Sequence, residues 1–299
     1  MTTTPVAFIG LGIMGGPMAG HLLAAGHPLT VHTRTKSKAQ SLLDRGAKWA
    51  DSPAAAAAGA DVIFTCVPDT PDVESVVSGN GGILSLPAAQ LKGRVVVDHS
   101  TISPSATRRM NEAIKARGAT LLDAPVSGGD VGAKNATLSI MVGGEPQAFA
   151  RVRPLLERMG KTITHCGPSG SGQLTKLVNQ LLVSITNLAT CEALTFARAA
   201  GLDPEKTIAA VGGGAAGSWQ LTNLGPRMLK GDFAPGFMIK LQQKDLRLVL
   251  EAAKEMGLDL SALKLVHRLF DQAIKKGRAN DGTQALFAIV EENSRAKTN

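Results

Sequence analysis

The sequence has no tyrosine, and aromatic residues make up 3% of its 299 positions. Nucleic-acid binders commonly gather Lys and Arg on one element beside aromatic platforms on which bases stack. Here the tryptophans are Trp49 and Trp219 alone, and the basic surplus is spread evenly. Lys and Arg number 32 against 24 Asp and Glu, a net charge of +8. Residues 1–165 hold 16 basic and 12 acidic side chains, and residues 166–299 hold the same numbers. Nucleic acid is therefore not the expected partner.

Cysteine is scarce too. Cys66, Cys166 and Cys191 form an odd, widely spaced set without a CxxC pair, and the six histidines make no HxxxH or HExxH. Neither a disulfide framework nor a metal site is expected, and reduced thiols fit a cytoplasmic protein. Met1–Pro5 lacks the basic start of a secretory signal. No run reaches the ~20 uninterrupted apolar residues that span a bilayer. The longest apolar stretch, Leu174–Leu188, is broken by Lys176, Asn179, Gln180 and Asn187, so no membrane partner is expected. A GxSxG nucleophile elbow is absent as well, which speaks against serine-hydrolase chemistry.

What is present is an alternation of short apolar runs with helical patterns. Val6–Ile9, Leu29–His32, Val62–Val67, Arg94–Asp98, Ala119–Asp123, Leu138–Val142 and Thr162–His165 read as strands. Between them lie helical stretches such as Lys36–Leu43, Pro104–Arg117 and Glu145–Met159, and an Ala-rich helix over Ala50–Gly59 with Asp51 or Ser52 as its cap. Strands separated by helices of this size predict a mostly parallel, doubly wound sheet. After the cluster Gly167-Pro168-Ser169-Gly170-Ser171-Gly172 helical patterns take over, beginning with one long helix from about Gln173 to Ala200. The expected organisation is an α/β domain over 1–165 and an all-helical domain over 166–299.

Gly10-Leu11-Gly12-Ile13-Met14-Gly15 follows the first strand and opens a helix. In that setting a GxGxxG run binds a dinucleotide. One glycine allows the tight turn, the next lets backbone N–H groups approach the pyrophosphate, and the third lets helix and strand pack closely. An NAD site needs an acidic residue at the end of the second strand to accept from the ribose 2′-OH. This chain has no Asp or Glu before Asp44, and its second strand ends in His32-Thr33-Arg34-Thr35-Lys36. A guanidinium and a hydroxyl suit a 2′-phosphate. NADP is therefore expected over NAD, held by Arg34 and Thr35. Val67 and Pro68, and Thr101 after Asp98, stand at the carboxyl ends of strands, where such sheets bind ligands.

Asp123-Ala124-Pro125-Val126-Ser127-Gly128-Gly129 ends a strand in unobstructed backbone amides, which with the Ser127 hydroxyl suit a carboxylate. On the long helix, taking Lys176 as zero at ~100° per residue, Gln180 falls near +40°, Asn187 near +20° and Asn179 near −60°. Leu174, Leu177, Val178, Leu181, Ile185 and Leu188 fill the remaining arc. A lysine heading a narrow polar stripe on an otherwise apolar helix is a candidate general acid/base, because desolvation favours its neutral form. Pro235-Gly236-Phe237 and Lys244-Asp245-Leu246 form a third cluster, uninformative alone.

Together these residues resemble the β-hydroxyacid dehydrogenases, which include 3-hydroxyisobutyrate dehydrogenase, tartronate semialdehyde reductase and the glyoxylate/succinic semialdehyde reductases. The similarity covers essentially the whole chain. It rests on Gly10–Gly15, Asp123–Gly129, Gly172-Gln173-Leu174-Thr175-Lys176-Leu177-Val178-Asn179-Gln180 and Lys244-Asp245-Leu246. The resemblance implies a Rossmann domain and an all-helical domain joined by a long helix, in homodimers or homotetramers. It implies Lys176 as the catalytic acid/base and Ser127, Gly128 and Gly129 as the loop for a small carboxylate substrate. Thr101 and Lys244 would lie on the cofactor side, with Asn179, Gln180, Phe237 and Asp245 on the substrate side. Several members carry Asn four residues after the lysine, where this chain has Gln180. Imine reductases share the architecture but commonly place Asp or Tyr at the position of Lys176, and a non-catalytic NADP-binding scaffold is the remaining alternative.

Overall fold

The computed structural model describes residues 3–295. Two compact units divide the chain between Lys176 and Leu177.

The first unit begins with β1 (Val6–Ile9), α1 (Gly15–Ala24), β2 (Leu29–His32), α2 (Gln40–Leu43), β3 (Lys48–Trp49), α3 (Pro53–Ala57) and β4 (Val62–Thr65). It continues through α4 (Thr70–Ser78), α5 (Ala88–Leu91), β5 (Val95–Asp98), α6 (Pro104–Lys115), β6 (Thr120–Asp123) and β7 (Val126–Ser127). Next come α7 (Gly129–Lys134), β8 (Leu138–Gly143), α8 (Pro146–Leu156) and β9 (Gly160–Gly167). The strands form one sheet in the order β3-β2-β1-β4-β5-β6-β8-β7, with β9 beside β8. Strands β1 to β6 run parallel, whereas β8 is antiparallel to β6 and β7. This is the doubly wound sheet the alternation predicts, extended by an antiparallel segment.

Successive residues of a strand point to opposite faces, and both faces here are apolar. Phe8, Val31, Phe64 and Val97 build one buried cluster with α1, while Ala7, Ile9, Ile63 and Val96 build another on the opposite face. That double burial explains the uninterrupted apolar runs. Polar starts set the helix boundaries. Ser52 Oγ accepts from Ala55 N at 3.1 Å to cap α3, and Ser103 Oγ accepts from Ala106 N at 3.3 Å to cap α6.

The chain continues into α9 (Ser171–Ala199), 29 residues long. By length and composition alone this helix is able to cross a membrane, and 44% of its most apolar 18-residue window is buried inside the protein. It is the only such helix among the described residues. Lys176, Gln180, Ser184 and Asn187 are buried along it.

The second unit adds α10 (Pro204–Gly212), a π-helical turn over Gln220–Leu224, α11 (Gly225–Leu229), α12 (Ile239–Glu255), α13 (Ser261–Lys275) and α14 (Leu286–Arg295). Leu194, Leu246, Leu263, Val266, Phe270 and Phe287 lie in its single large core cluster. The architecture is a Rossmann domain followed by a helical domain, the fold class the sequence implies.

Candidate active site

In the sheet order β1 lies between β2 and β4, which is the point where the winding reverses and where such sheets bind ligands. The glycine loop leaves β1 there. Gly10 adopts φ +98°, and a Cβ on it would collide with the Cys66 carbonyl at the end of β4. A Cβ on Gly15 would collide with the Gly10 carbonyl and meet the Phe8 ring at 3.1 Å. Around Gly12, by contrast, nothing lies within 4 Å of a Cβ position. The outer two glycines are fixed by packing and the central one opens onto free space, so the loop fits a pyrophosphate. Leu11 is buried in the core and Ile13 is exposed, so Leu11 offers a ligand only its backbone.

Arg34 and Thr35 follow β2. Arg34 is 79% exposed, and its guanidinium pairs with Asp72 in the first turn of α4 at 3.2 Å. Lys36 lies over the Trp49 ring at 5.3 Å, which gives it a structural partner. Lys38 lines a groove of about 630 Å³ with Gly12, Ile13, Gly16, Gly20 and Arg45. That groove follows the outer face of α1 and begins at the glycine loop.

At the ends of β4 and β5, Ser100 Oγ accepts the Val67 N–H at 2.9 Å and so fixes the Val67-Pro68 loop beside Thr101. Asp98 is fully buried below. Its Oδ1 accepts from Thr65 Oγ1 at 2.7 Å and from Ser100 N at 3.0 Å. Its Oδ2 has no hydrogen-bond partner. Burial pushes its pKa up to about 6 against the pull of those donors. Neighbouring His99 stacks on Phe64 with ring centroids 5.6 Å apart, and its Nδ1 bonds the Ala124 carbonyl at 2.7 Å. A carbonyl only accepts, so Nδ1 carries the proton. Burial pulls the His99 pKa down to about 4.

Asp123 ends β6, in register with Asp98. Its Oδ1 accepts from Gly170 N at 2.8 Å and its Oδ2 from Gln173 N at 2.9 Å, both at the start of α9. Burial pushes this carboxyl upward too, and the backbone N–H groups oppose it. Four residues on, Ser127 pairs with Ser139 of β8. Gly128 and Gly129 follow at φ +134° and +62°, conformations strained for any residue with a side chain. Lys176 stands on the second turn of α9 and is 7% exposed. The first unit thus carries the glycine loop, Val67, Thr101, Ser127–Gly129 and Lys176 on segments that leave the carboxyl ends of its strands.

Within the second unit a polar chain has formed. Asn179 Nδ2 donates to Gln180 Oε1 at 2.7 Å, and Gln180 Nε2 donates to Asp245 Oδ2 at 2.5 Å. Lys244 Nζ lies 2.7 Å from Asp245 Oδ1. Both oxygens of the buried Asp245 carboxylate are thereby engaged. Phe237 is half-buried, and its carbonyl accepts the Thr283 N–H at 3.0 Å. No group of three or more His, Cys, Asp or Glu side chains suited to a metal occurs among the described residues.

The sequence alone assigns no role to Asp98, His99, Asp123 or Gln173. Asp123 and Gln173 stood inside motifs already singled out, but the groups they bond lie 47 to 73 residues away.

Residues 5–167 match the family described as the NAD binding domain of 6-phosphogluconate dehydrogenase. Residues 170–290 match the NAD-binding domain of NADP-dependent 3-hydroxyisobutyrate dehydrogenase. The 2-hydroxy-3-oxopropionate reductase of Escherichia coli is 44% identical over 286 residues, 96% of this chain and 97% of that protein. The structure of Mycobacterium tuberculosis 3-hydroxyisobutyrate dehydrogenase with L-serine aligns at a TM-score of 0.87 and 30% identity, covering 97% of this chain and 99% of the other. A protein named Psf3, in complex with NADP+ and 2-OPP, aligns at 0.85 and 30% identity over 95% of this chain and 99% of the other.

Proposed function

The chain belongs to the β-hydroxyacid dehydrogenase family, and from that premise we propose an NADP-dependent enzyme that interconverts a small β-hydroxy acid and its semialdehyde, with Lys176 as general acid/base. The observation that carries this reading is the position of Lys176. It is buried on a helix whose first turn is bonded to Asp123 at the end of β6 and to the Ser100 carbonyl after β5.

NADP is favoured by Arg34 and Thr35 after β2 and by the absence of any acid before Asp44. The description of the second matching family as NADP-dependent supports the same choice. The backbone of Gly10–Gly15 would hold the pyrophosphate, Val67, Pro68 and Thr101 would be further cofactor contacts of the first unit, and Lys244 would be one from the second. When bound, the nicotinamide supplies or accepts the hydride. In the first unit Ser127, Gly128 and Gly129 suit the substrate carboxylate, and in the second unit Asn179, Gln180, Phe237 and Asp245 are the residues that the family resemblance assigns to the substrate.

In the reducing direction Lys176 bonds the aldehyde oxygen through its ammonium and gives it a proton as negative charge develops there. In the oxidising direction its neutral amine takes the hydroxyl proton. Fixing the carboxylate at a set distance from Nζ turns this transfer into a step between oriented partners.

The same reading includes a homodimer or homotetramer. Val178, Leu182 and Phe196 are 57%, 60% and 72% exposed, and at 100° per residue they fall on one side of α9. Exposed apolar side chains on one side of a helix suit a second copy, and sedimentation of the purified protein would reveal a monomer if they do not.

Turnover of glyoxylate and of the succinic, tartronate and methylmalonate semialdehydes, followed by NADPH absorbance, tests the activity. Consumption of NADPH with at least one is expected. No turnover of any of them with NADPH, nor of the corresponding hydroxy acids with NADP+, would contradict the substrate class.

A further inference from the structure

A helix begins with backbone N–H groups that have no intrahelical partner and with partial positive charge. At the start of α9 those donors are met by Asp123, whose two carboxylate oxygens accept from Gly170 N at 2.8 Å and Gln173 N at 2.9 Å. The approach is close on every side. A Cβ on Gly143 would stand 2.7 Å from Asp123 Oδ1 and from Gly172 N, and a Cβ on Gly172 would stand 2.6 Å from the Asp123 carbonyl. Only glycine at both positions lets β8 and the helix start lie against this carboxylate.

A second tie runs from the same turn to another strand. Gln173 is fully buried, and its side chain spans the segment after β5. Oε1 accepts from Ile102 N at 3.0 Å, and Nε2 donates to the Ser100 carbonyl at 2.8 Å. Ser100 also holds the Val67 N–H through its hydroxyl. Gln173 therefore joins the helix to the loops after β4 and β5, while Asp123 joins it to the end of β6. Lys176 follows Gln173 by three residues, about 4.5 Å along the helix axis.

We propose that Asp123 and Gln173 are positioning residues: a two-point clamp that fixes the rotation and height of α9 on the sheet and thereby sets where Lys176 Nζ meets the substrate oxygen. The inference rests on the reading of Lys176 as the acid/base. It assigns Asp123, which lies in the same motif as Ser127–Gly129, to the helix rather than to the substrate. Displacement of a reacting group by ~1 Å costs on the order of 10²-fold in rate, so loosening either tie should act on turnover.

The test uses the full-length protein and the variants Asp123→Asn, Gln173→Met and Lys176→Ala, with each of the first two also combined with Lys176→Ala. Asparagine keeps the shape of Asp123 but sets an NH2 against one N–H, and methionine keeps the length of Gln173 while removing both bonds. Each single clamp variant is expected to lower kcat by about 10- to 100-fold, with substrate KM and NADPH Kd within about threefold of the parent. In the Lys176→Ala background the same substitutions should cost little more, because residues acting through one group are non-additive. Gln173→Met carries the test if Asp123→Asn does not fold. An equal further loss in the Lys176→Ala background, or a loss seen in NADPH Kd instead of kcat, overturns the clamp. Unchanged turnover in Lys176→Ala alone overturns the acid/base reading itself and leaves the clamp nothing to position.

Discussion

Arg34 lies 3.2 Å from Asp72, so the guanidinium expected to meet the cofactor phosphate is held by a carboxylate from the first turn of α4. With Arg34 79% exposed, such a pair contributes roughly 0–1 kcal/mol, and a phosphate dianion displaces it readily. Arg34→Gln is expected to raise KM for NADPH by about 10- to 100-fold, the loss of one or two charge-assisted bonds, while KM for NADH stays within about threefold. Asp72→Asn releases the guanidinium and should leave KM for NADPH equal or lower. Steady-state kinetics with both cofactors decide the matter, and equal effects of Arg34→Gln on the two would contradict the phosphate assignment.

The glycine loop separates binding from folding. Gly15→Ala drives a methyl into the Gly10 carbonyl and should destabilise the protein by about 1–3 kcal/mol, the usual cost of overpacking. Gly12→Ala meets nothing within 4 Å, so its stability should stay within about 0.5 kcal/mol of the parent. Its methyl would enter the space of the pyrophosphate, and NADPH affinity should fall by an order of magnitude or more. Thermal melts with and without NADPH distinguish the two, since only Gly12→Ala should keep the parent melting point while losing the shift on adding cofactor.

Much of the fold is legible in the amino-acid sequence. Val6–Ile9 forms a strand over the very span of its apolar run, because a strand buried on both faces needs an unbroken run. Leu29–His32 instead alternates buried Leu29 and Val31 with half-buried Thr30 and His32, the period of a strand buried on one face. Ser52 caps its helix because an N-cap is a local matter. β3 and β7 are two residues each, too short to show any period, and the glycine-rich α7 reads as loop. The antiparallel placing of β8 leaves no mark on its own sequence. The clamp at Asp123 and Gln173 escaped for a different reason. Its residue types were visible inside known motifs, but their partners are set by strand order and not by spacing along the chain.

Asp98 and His99 tilt stability with pH in opposite senses. The Asp98 pKa is raised from 3.8 to about 6, so the unfolded chain ionises first and stability falls as pH rises between those values. The His99 pKa is lowered from 6.5 to about 4, so the unfolded chain takes up a proton first and stability falls as pH drops through that window. Each contributes on the order of 3 kcal/mol. In Asp98→Asn the side-chain oxygen is able to accept from both Thr65 and Ser100, and the uncharged amide stands where Oδ2 has no partner. The variant should gain on the parent as pH rises from about 4 to about 6 and keep that gain above it. Denaturant melts across pH 4–8 check this, and a difference between variant and parent that does not change with pH would contradict it.

In the second unit, Gln180 and Lys244 engage both oxygens of a buried carboxylate. Asp245→Ala should destabilise the protein by about 1–3 kcal/mol, because the Gln180 amide loses its acceptor. Asp245→Asn sets an NH2 group against either the Gln180 amide or the Lys244 ammonium and should fall between the parent and the alanine variant. Urea melts order the three proteins, and an alanine variant as stable as the parent would mean that these bonds contribute nothing.

The most direct measurement is single-turnover carbonyl reduction by Lys176→Ala with NADPH already bound. Removal of the acid should slow the step by about 10²–10⁴-fold while NADPH Kd stays within about threefold of the parent. Reduction at the parental rate by a variant that binds NADPH normally would contradict the assignment of Lys176 as the proton donor.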